Sequence, residues 1–202
     1  MLAPGILRVG GGMADQLVFS AGAPQPPNPD GTSNVIDAAY WDSMLDYAQA
    51  AGLELLFDLN CLGLRRANNT WNTTNAEELF GYMQRKGQLG RVFGFELGNE
   101  PAHFYARHNA SVAPDPAQLA ADFHTLQGLI AKYWSGVPRP QIIGPDLCCG
   151  LPYLDSFLSA LAPGVVDAVT VHSYPFEGNK PSTGQIGECT VGNFTDPVKL
   201  DR

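Results

Sequence analysis

Val92-Phe-Gly-Phe-Glu-Leu-Gly-Asn-Glu-Pro101 begins as an apolar run and ends in polar and conformationally restricted residues. The run is short and bulky, which predicts a β-strand rather than a helix. Pro101 lacks a backbone N–H and disfavours helix in the residue before it, so the strand ends here. Asn99 and Glu100 are then held at its carboxyl tip. In a barrel of parallel strands this tip carries catalytic residues, whereas the alternative is a strand that simply ends in a polar turn.

Strands and helices alternate on both sides of this segment. Apolar runs predict five strands, which are marked by Ile6, Leu53, Val92, Ile142 and Val169. The helical patterns between them have start signals at Asn34 with Asp37, at a capping box of Thr74 with Glu77, and at Asp115 followed by Pro116. The Pro- and Gly-rich stretch 21–34 predicts a surface loop.

Alternation of this kind predicts parallel strands joined by crossover helices. A doubly wound sheet would need a phosphate-binding glycine loop that opens a helix, but the glycine run at Gly10 is followed by another loop. A closed (β/α)₈ barrel needs eight strands and about 250 residues. The sequence therefore predicts an α/β fold, an incomplete (β/α)₈ TIM barrel that occupies residues 1–202 as one partial domain.

Charge and hydropathy exclude several classes of partner. The formal net charge is −8, and neither a basic run nor a nucleic-acid motif occurs, so we expect no nucleic-acid partner. No stretch approaches the roughly 20 apolar residues of a membrane span, so we expect no transmembrane segment in this chain.

Four N-glycosylation acceptor motifs occur, at Asn68, Asn72, Asn109 and Asn193. They indicate a glycoprotein of the secretory pathway whose N-terminus is missing from this chain. Such a protein is extracellular, lysosomal or vacuolar, or membrane-associated. The alternative is a cytosolic protein in which the motifs are coincidental.

The cysteines Cys61, Cys148, Cys149 and Cys189 show no metal-ligand spacing with histidines nearby. We therefore predict neither a metal site nor a cofactor. Cys148 and Cys149 are adjacent, which is a poor geometry for a bridge between them. A disulfide from one of them to Cys189 or Cys61 stays open, and buried free thiols are the simpler interpretation.

The predicted strand ends collect polar and small residues that would meet on one rim: Gly10, Gly11, Asn60, Asn99, Glu100, Asp146, His172 and Tyr174. Side chains of these types can hold a sugar by directed hydrogen bonds. Glycoside cleavage needs one carboxyl group to protonate the departing oxygen and a second one opposite it. Glu100 suits the first role, and we predict that Asn99, Asn60, Gly10 and Gly11 help to bind substrate.

Five segments in this order carry a family resemblance: Leu7-Arg-Val-Gly-Gly11, Leu53-Glu-Leu-Leu-Phe-Asp-Leu-Asn60, Phe95-Glu-Leu-Gly-Asn-Glu-Pro101, Gly144-Pro-Asp146 and Val169-Thr-Val-His-Ser-Tyr174. Together they resemble glycoside hydrolase family 79, the heparanases and heparanase-like β-glucuronidases. The resemblance covers nearly the whole chain, from the second barrel strand to just past the sixth.

The resemblance implies a glycoside hydrolase catalytic domain and a retaining mechanism on a glucuronide linkage, with endo or exo action left open. Glu100 matches the acid/base, Asn99 its sugar-binding neighbour, and His172 and Tyr174 match active-site residues after the sixth strand. The family's nucleophile is a Glu on the seventh strand. Glu188 imitates its setting, but only fifteen residues lie between His172 and Glu188, too few for a helix and a strand.

We therefore expect a nucleophile beyond Arg202, and an isolated 202-residue chain that is inactive and poorly folded. Basic clusters that resemble those of heparan sulfate-cleaving members are absent, since no Lys or Arg lies between Arg8 and Arg65. The expected substrate is a weakly charged glucuronide-containing oligosaccharide, polysaccharide or glycoprotein glycan, rather than heparan sulfate. The alternative is a non-catalytic carbohydrate-binding remnant of such a barrel.

Overall fold

The computed structural model describes residues 4–22, 34–63, 65–104, 113–148 and 151–172. The chain separates into two units, 1–171 and 172–202, and the fold below is that of the first. Its strands are β1 Gly5–Val9, β2 Val18–Ser20, β3 Val35–Asp37, β4 Leu53–Leu59, β5 Val92–Leu97, β6 Gln141–Leu147 and β7 Ala168–Val171. Its α-helices are α1 Ala38–Ala51, α2 Thr74–Arg85, α3 Pro116–Tyr133 and α4 Leu151–Ala160. Short 3₁₀ helices lie at Ala14–Gln16, Leu89–Arg91 and Pro101–His103.

Five strands form one parallel sheet in the order β1-β4-β5-β6-β7. Each pair of neighbours in the sheet is also consecutive along the chain once the small strands β2 and β3 are set aside. Helices α1, α2, α3 and α4 lie between these strands in sequence. The prediction of an α/β fold with five parallel strands is therefore confirmed, and the carboxyl ends of the strands lie along one edge of the sheet.

A second, two-stranded parallel sheet pairs β2 with β3, with Phe19 opposite Ile36. The sequence predicted neither strand, because three residues are too few to show an alternating pattern. Asn75, in the first turn of α2, ties this small sheet to the helix. Its side chain accepts a hydrogen bond from the Phe19 N–H (3.0 Å) and donates one to the Phe19 carbonyl (2.7 Å).

Two of the predicted helix starts need correction. Helix α1 is capped by Asp37 alone, whose carboxylate accepts from the Tyr40 N–H at 2.7 Å, because residues 35–37 are already extended in β3. The capping box at Thr74 does not form. Instead the Asn72 side chain accepts from the Thr74 N–H (3.2 Å) and hydroxyl (2.8 Å). The Asp115 cap of α3 is confirmed, with a bond of 2.8 Å from the Gln118 N–H.

Aromatic side chains hold β5 against the helices. Phe95 of β5, Phe80 of α2 and Trp134 after α3 form a triangle with ring centroids 4.9–5.8 Å apart. The Trp134 indole N–H also donates to the Leu89 carbonyl at 2.9 Å. Edge-on aromatic pairs contribute beyond their buried area. The strand that carries Asn99 and Glu100 at its tip is thus packed rigidly on its helical side.

A buried ion pair fastens the loop between β4 and α2 onto α3. The Arg65 guanidinium lies 2.6 Å from the Asp122 carboxylate, and both side chains are inaccessible to solvent. The Trp71 N–H donates to the same carboxylate at 3.2 Å, and its indole N–H donates to the Asn60 carbonyl at 2.8 Å. This loop therefore supports the carboxyl tip of β4.

The outermost strands of the sheet differ from the inner three. Strands β4, β5 and β6 are almost entirely buried, as expected for parallel strands covered on both faces. Strands β1 and β7 expose apolar side chains, among them Ile6, Val169 and Val171. None of the helices in the described part of the chain is both long and apolar enough to cross a lipid bilayer.

Gly98 lets the chain turn immediately after β5. Its φ is +84°, in the region that favours glycine, and a Cβ there would lie 2.6 Å from the Cβ of Cys61. The turn thus needs both the conformational freedom and the small size of glycine.

We expect Gly98→Ala to destabilise the protein more than Gly136→Ala does. Gly136 has nearly the same φ, +88°, but open space around it. The control should lose about 1 kcal/mol from backbone strain, and Gly98→Ala about 1–3 kcal/mol more from overpacking. Denaturant unfolding of the natural full-length protein measures both, and equal losses would contradict the packing role of Gly98.

Candidate active site

The tips of β5 and β6 are joined at Glu100. Its backbone N–H donates to the Asp146 carbonyl at 2.9 Å. Both residues have positive φ, 55° for Glu100 and 56° for Asp146, which is uncommon for residues other than glycine. Such conformations are sustained by their surroundings and concentrate at functional sites. The Glu100 residue is only 2% exposed, so its carboxyl group is held in place at the strand tip.

Asn99 is oriented from two sides. Its backbone N–H donates to the buried Asp15 carboxylate at 3.0 Å, and its side-chain oxygen accepts from the Arg8 guanidinium at 3.2 Å. A guanidinium has only donors, so the amide oxygen must face it. The NH₂ group of Asn99 is therefore the end of the amide that can donate to a ligand.

Arg8 lies among three carboxylates from three neighbouring strands. Its Nε donates to Glu96 of β5 at 2.6 Å, and its Nη2 donates to Asp146 of β6. The same nitrogen lies 3.9 Å from Asp58 of β4. The three acidic residues are buried, so one cation must balance several carboxyl groups at low solvent exposure.

The protonation of Asp58 follows from this imbalance. Burial raises the pKa of Asp58 well above its usual value, and the neighbouring carboxylates of Asp15 and Glu96 raise it further, against the opposing effect of Arg8. The Gly98 N–H donates to one oxygen of Asp58 at 2.9 Å. Asp58 therefore takes up a proton at a higher pH than an exposed aspartate does.

The protonation of Asp58 should make the stability of the folded protein depend on pH. Because its pKa is raised by folding, the folded state binds more protons than the unfolded state at pH values between the two pKa values. Stability then falls as the pH rises above about 3.9, the usual pKa of an Asp, and levels off above the raised pKa.

Asp58→Asn should remove this decrease in the free energy of unfolding, which can reach about 1.4 kcal/mol per pH unit. The measurement is denaturant unfolding of both proteins from pH 4 upward. If the two profiles stayed parallel, Asp58 would not titrate as described.

His103 and Cys148 lie beside Glu100. The His103 N–H donates to the Glu100 carbonyl at 2.9 Å, and its Nδ1 lies 4.0 Å from the Glu100 carboxylate. Cys148 is the first residue after β6. The sequence did not point to either residue, since His103 falls in a stretch that resembled a plain loop. Cys148 directly follows β6 and His103 is the sixth residue after β5, so their closeness to a strand end is the signal that could have done so.

The other predicted site residues are placed as follows. Gly10 follows β1, and a Cβ there would lie 2.8 Å from the Cβ of Asp58, so its small size makes room for the buried carboxyl. Gly11 has a φ of +105°. The Asn60 amide donates to the Leu17 carbonyl (2.9 Å) and accepts from the Gly63 N–H (2.8 Å), so it organises its own loop. A substrate-binding role for these three residues stays a prediction.

Several predicted residues fall elsewhere. His172 is the first residue of the second unit, and Tyr174 and Glu188 lie outside the described residues. The motif asparagines Asn109 and Asn193 and the cysteines Cys149 and Cys189 also lie outside them. Cys61 is a buried free thiol, as predicted, and Cys148 is half-buried. Arg8, Asp15 and Glu96 were not predicted as part of the site.

Comparison with known families identifies the chain. A family model described as the N-terminal domain of glycosyl hydrolase family 79 matches residues 1–184. The chain belongs to glycoside hydrolase family 79. The predicted family is thereby confirmed.

Individual relatives agree with this family. A hyaluronoglucuronidase of Hirudo nipponia is 30% identical over 219 residues, covering 94% of this chain and 42% of that protein. A heparanase of Mus musculus is 36% identical, covering 68% of this chain and 25% of the heparanase. An inactive heparanase-2 of Homo sapiens is 33% identical over 67% of this chain and 22% of that protein. The chain thus spans less than half the length of these relatives, most of which are named as glycosidases.

One solved structure supports the barrel. A xyloglucanase of Paenibacillus polymyxa from glycoside hydrolase family 44, a TIM-barrel enzyme, matches with a TM-score of 0.50 and 16% identity. The match covers 71% of this chain and 38% of the xyloglucanase. At this identity it shows the fold alone. The five-stranded parallel sheet and its helices accordingly form an incomplete TIM barrel, as predicted.

Proposed function

We propose that this chain supplies the acid/base half of the active site of a retaining β-glucuronidase, which hydrolyses O-glycosyl bonds in glucuronide-containing glycans. The observation that carries the proposal is the position of Glu100. It is a buried carboxyl group at the tip of β5, next to Asn99, held by a left-handed backbone and by the bond from its N–H to Asp146. Family 79 membership supports glycoside hydrolysis as the reaction.

In this mechanism Glu100 first gives its proton to the glycosidic oxygen while the bond from that oxygen to the anomeric carbon breaks. The carboxylate nucleophile bonds to the anomeric carbon on the opposite face. Water then attacks this carbon, Glu100 takes a proton from the water, and the nucleophile leaves. We propose that the nucleophile is a Glu on a strand about 30–50 residues beyond Arg202, one helix and one strand further along the barrel.

Asn99 and Arg8 have supporting roles in this proposal. The Asn99 amide directs its NH₂ group toward a sugar hydroxyl, because its oxygen accepts from Arg8. A neutral amide binds the sugar without a charge that would perturb the acid. Arg8 meanwhile offsets part of the negative charge of Glu96 and Asp146, so that the cluster adds less negative charge near Glu100.

The substrate class follows from charge. A formal net charge of −8 and the absence of Lys and Arg between Arg8 and Arg65 disfavour a heavily sulfated polyanion. We propose a glucuronide-bearing oligosaccharide, polysaccharide or glycoprotein glycan of low charge density as the substrate. The relative named hyaluronoglucuronidase and the relatives named heparanase both fit a glucuronide-type substrate, and the first is aligned over most of this chain.

Glu100→Gln should lower glucuronide hydrolysis by the natural full-length protein on the order of 10²–10⁴-fold. The loss should be smallest for aryl glucuronides with an acidic phenol as the leaving group, because such a group departs without protonation. Glu54→Gln is the matched control, since Glu54 lies on β4 but is exposed, and it should keep full activity.

Two outcomes would count against this function. If Glu100→Gln lost no activity on poor leaving groups, Glu100 would not be the acid. If the unmodified protein bound glucuronide glycans without cleaving them, the chain would be a non-catalytic carbohydrate-binding member of the family, in line with its inactive human relative.

We also propose that the protein passes through the secretory pathway, to an extracellular, lysosomal or vacuolar, or membrane-associated location. The support is the exposed Asn68, which lies in a loop fixed by the buried side chain of Arg65. Thr70 donates its hydroxyl to the Asn68 side chain at 2.8 Å, an arrangement that matches the acceptor motif. Asn72 is half-buried and lines an interior cavity with Trp71.

Asn68 should therefore carry an N-glycan in the natural protein, and should be occupied more fully than Asn72. Peptide mass spectrometry after enzymatic deglycosylation in heavy-oxygen water measures both sites. Thr70→Ala should abolish the signal at Asn68. An unmodified Asn68 in protein from its natural source would refute the assignment.

A further inference from the structure

A cluster of three potential metal ligands of different chemistry lies at the mouth of the site. One carboxylate oxygen of Glu100, one ring nitrogen of His103 and the sulfur of Cys148 all lie within 4.8 Å of one another. Glu100 is buried, whereas His103 and Cys148 are half-buried. One ligand is thus enclosed by protein and the other two are partly exposed.

The backbone fixes the relative positions of these ligands. His103 follows Glu100 by one 3₁₀ turn, closed by the 2.9 Å bond from the His103 N–H to the Glu100 carbonyl. Cys148 follows β6, whose tip is joined to Glu100 by the 2.9 Å bond to the Asp146 carbonyl. All three ligands therefore stand on two adjacent, hydrogen-bonded strand ends rather than on independent loops.

The cluster could hold a small tetrahedral ion after a modest contraction. Zinc binds His nitrogen and carboxylate oxygen at about 2.0–2.2 Å and thiolate sulfur at about 2.3 Å, which places its ligand atoms roughly 3.3–3.8 Å apart. The Glu100 oxygen and the His103 Nδ1 are 4.0 Å apart, so a slight contraction would bring them into coordination. Three protein ligands with an open fourth position are typical of zinc sites that keep a water molecule.

The identity of the ligands selects the class of ion. A thiolate and an imidazole favour zinc and similar borderline ions over magnesium or calcium, which prefer oxygen. A second group of close ligands, Asp58, Glu96 and Asp146, is entirely carboxylate. That group already contains a cation, because the Arg8 guanidinium binds Glu96 and Asp146.

We propose that Glu100, His103 and Cys148 form a binding site for Zn²⁺, and that the bound ion inhibits glycoside hydrolysis. A zinc ion on the Glu100 carboxylate occupies the oxygen that must carry the proton for the leaving group. The inhibitory effect rests on the proposed acid role of Glu100, whereas zinc binding itself does not.

Binding is tested on the natural full-length protein after treatment with a chelator. Titration calorimetry with Zn²⁺ should show one site, and Co²⁺ as a probe should give a thiolate-to-metal charge-transfer band. Cys148→Ser should remove the band, and both Cys148→Ser and His103→Ala should weaken zinc binding on the order of tenfold or more. Cys149→Ser, the adjacent cysteine, is the matched control and should keep both signals.

Zinc binding that survives both Cys148→Ser and His103→Ala would overturn the site, as would loss of the band in Cys149→Ser alone. Thermal unfolding of each variant shows whether it is folded. Two independent ligand variants keep the test decisive if one of them fails to fold.

Activity separates the two proposals. Zinc should inhibit glucuronide hydrolysis by the unmodified protein, with recovery after a chelator is added. The zinc-free rate of Cys148→Ser, measured on that variant itself, should not fall when zinc is added. Hydrolysis without zinc binding would refute the zinc site and leave the enzyme proposal standing. Zinc binding by a protein that hydrolyses no glucuronide would refute the enzyme proposal and leave the site in place.

Discussion

The Arg8 guanidinium, set among the carboxyl groups of β4, β5 and β6, is the interaction on which the site depends. The Arg8 side chain is 33% exposed, but the carboxylates that it contacts are buried. Removing Arg8 would leave these buried carboxylates without their cation, which costs more than losing an ion pair between two surface groups. Arg8 lies on β1, so one side chain links four neighbouring strands. Arg8 also donates to the Asn99 amide oxygen, so it connects the carboxylates inside the sheet with the residue at the tip of β5.

The strand tip itself is organised by backbone geometry. Gly98 turns sharply over Cys61, and Asn99 is held by Asp15. Glu100 and Asp146 then adopt left-handed conformations and share a backbone hydrogen bond. A carboxyl group placed in this way loses little conformational freedom when a ligand arrives, and pre-positioning of reacting groups accounts for a large share of enzymatic rate acceleration.

The strands that matter for the site could be predicted from the sequence because their apolar runs are long enough to show a pattern. The tip residues Asn99 and Glu100 could be located because Pro101 marks the end of β5. The small strands β2 and β3 could not, since three residues carry no periodicity.

The Arg8 cluster was missed for a different reason. Arg8 and Glu96 are each the single charged residue of an apolar strand, and Asp58 is one of two in β4. Only the register of the sheet shows that the three meet. His103 and Cys148 were missed for the same reason, because they come together across two strand ends that lie far apart in the sequence.

The two outer strands of the sheet expose apolar side chains, Ile6 on β1 and Val169 and Val171 on β7. Unpaired strand edges with exposed apolar side chains act as templates for pairing between molecules. Whenever these edges stay uncovered, as they do while the chain is being synthesised, self-association competes with folding.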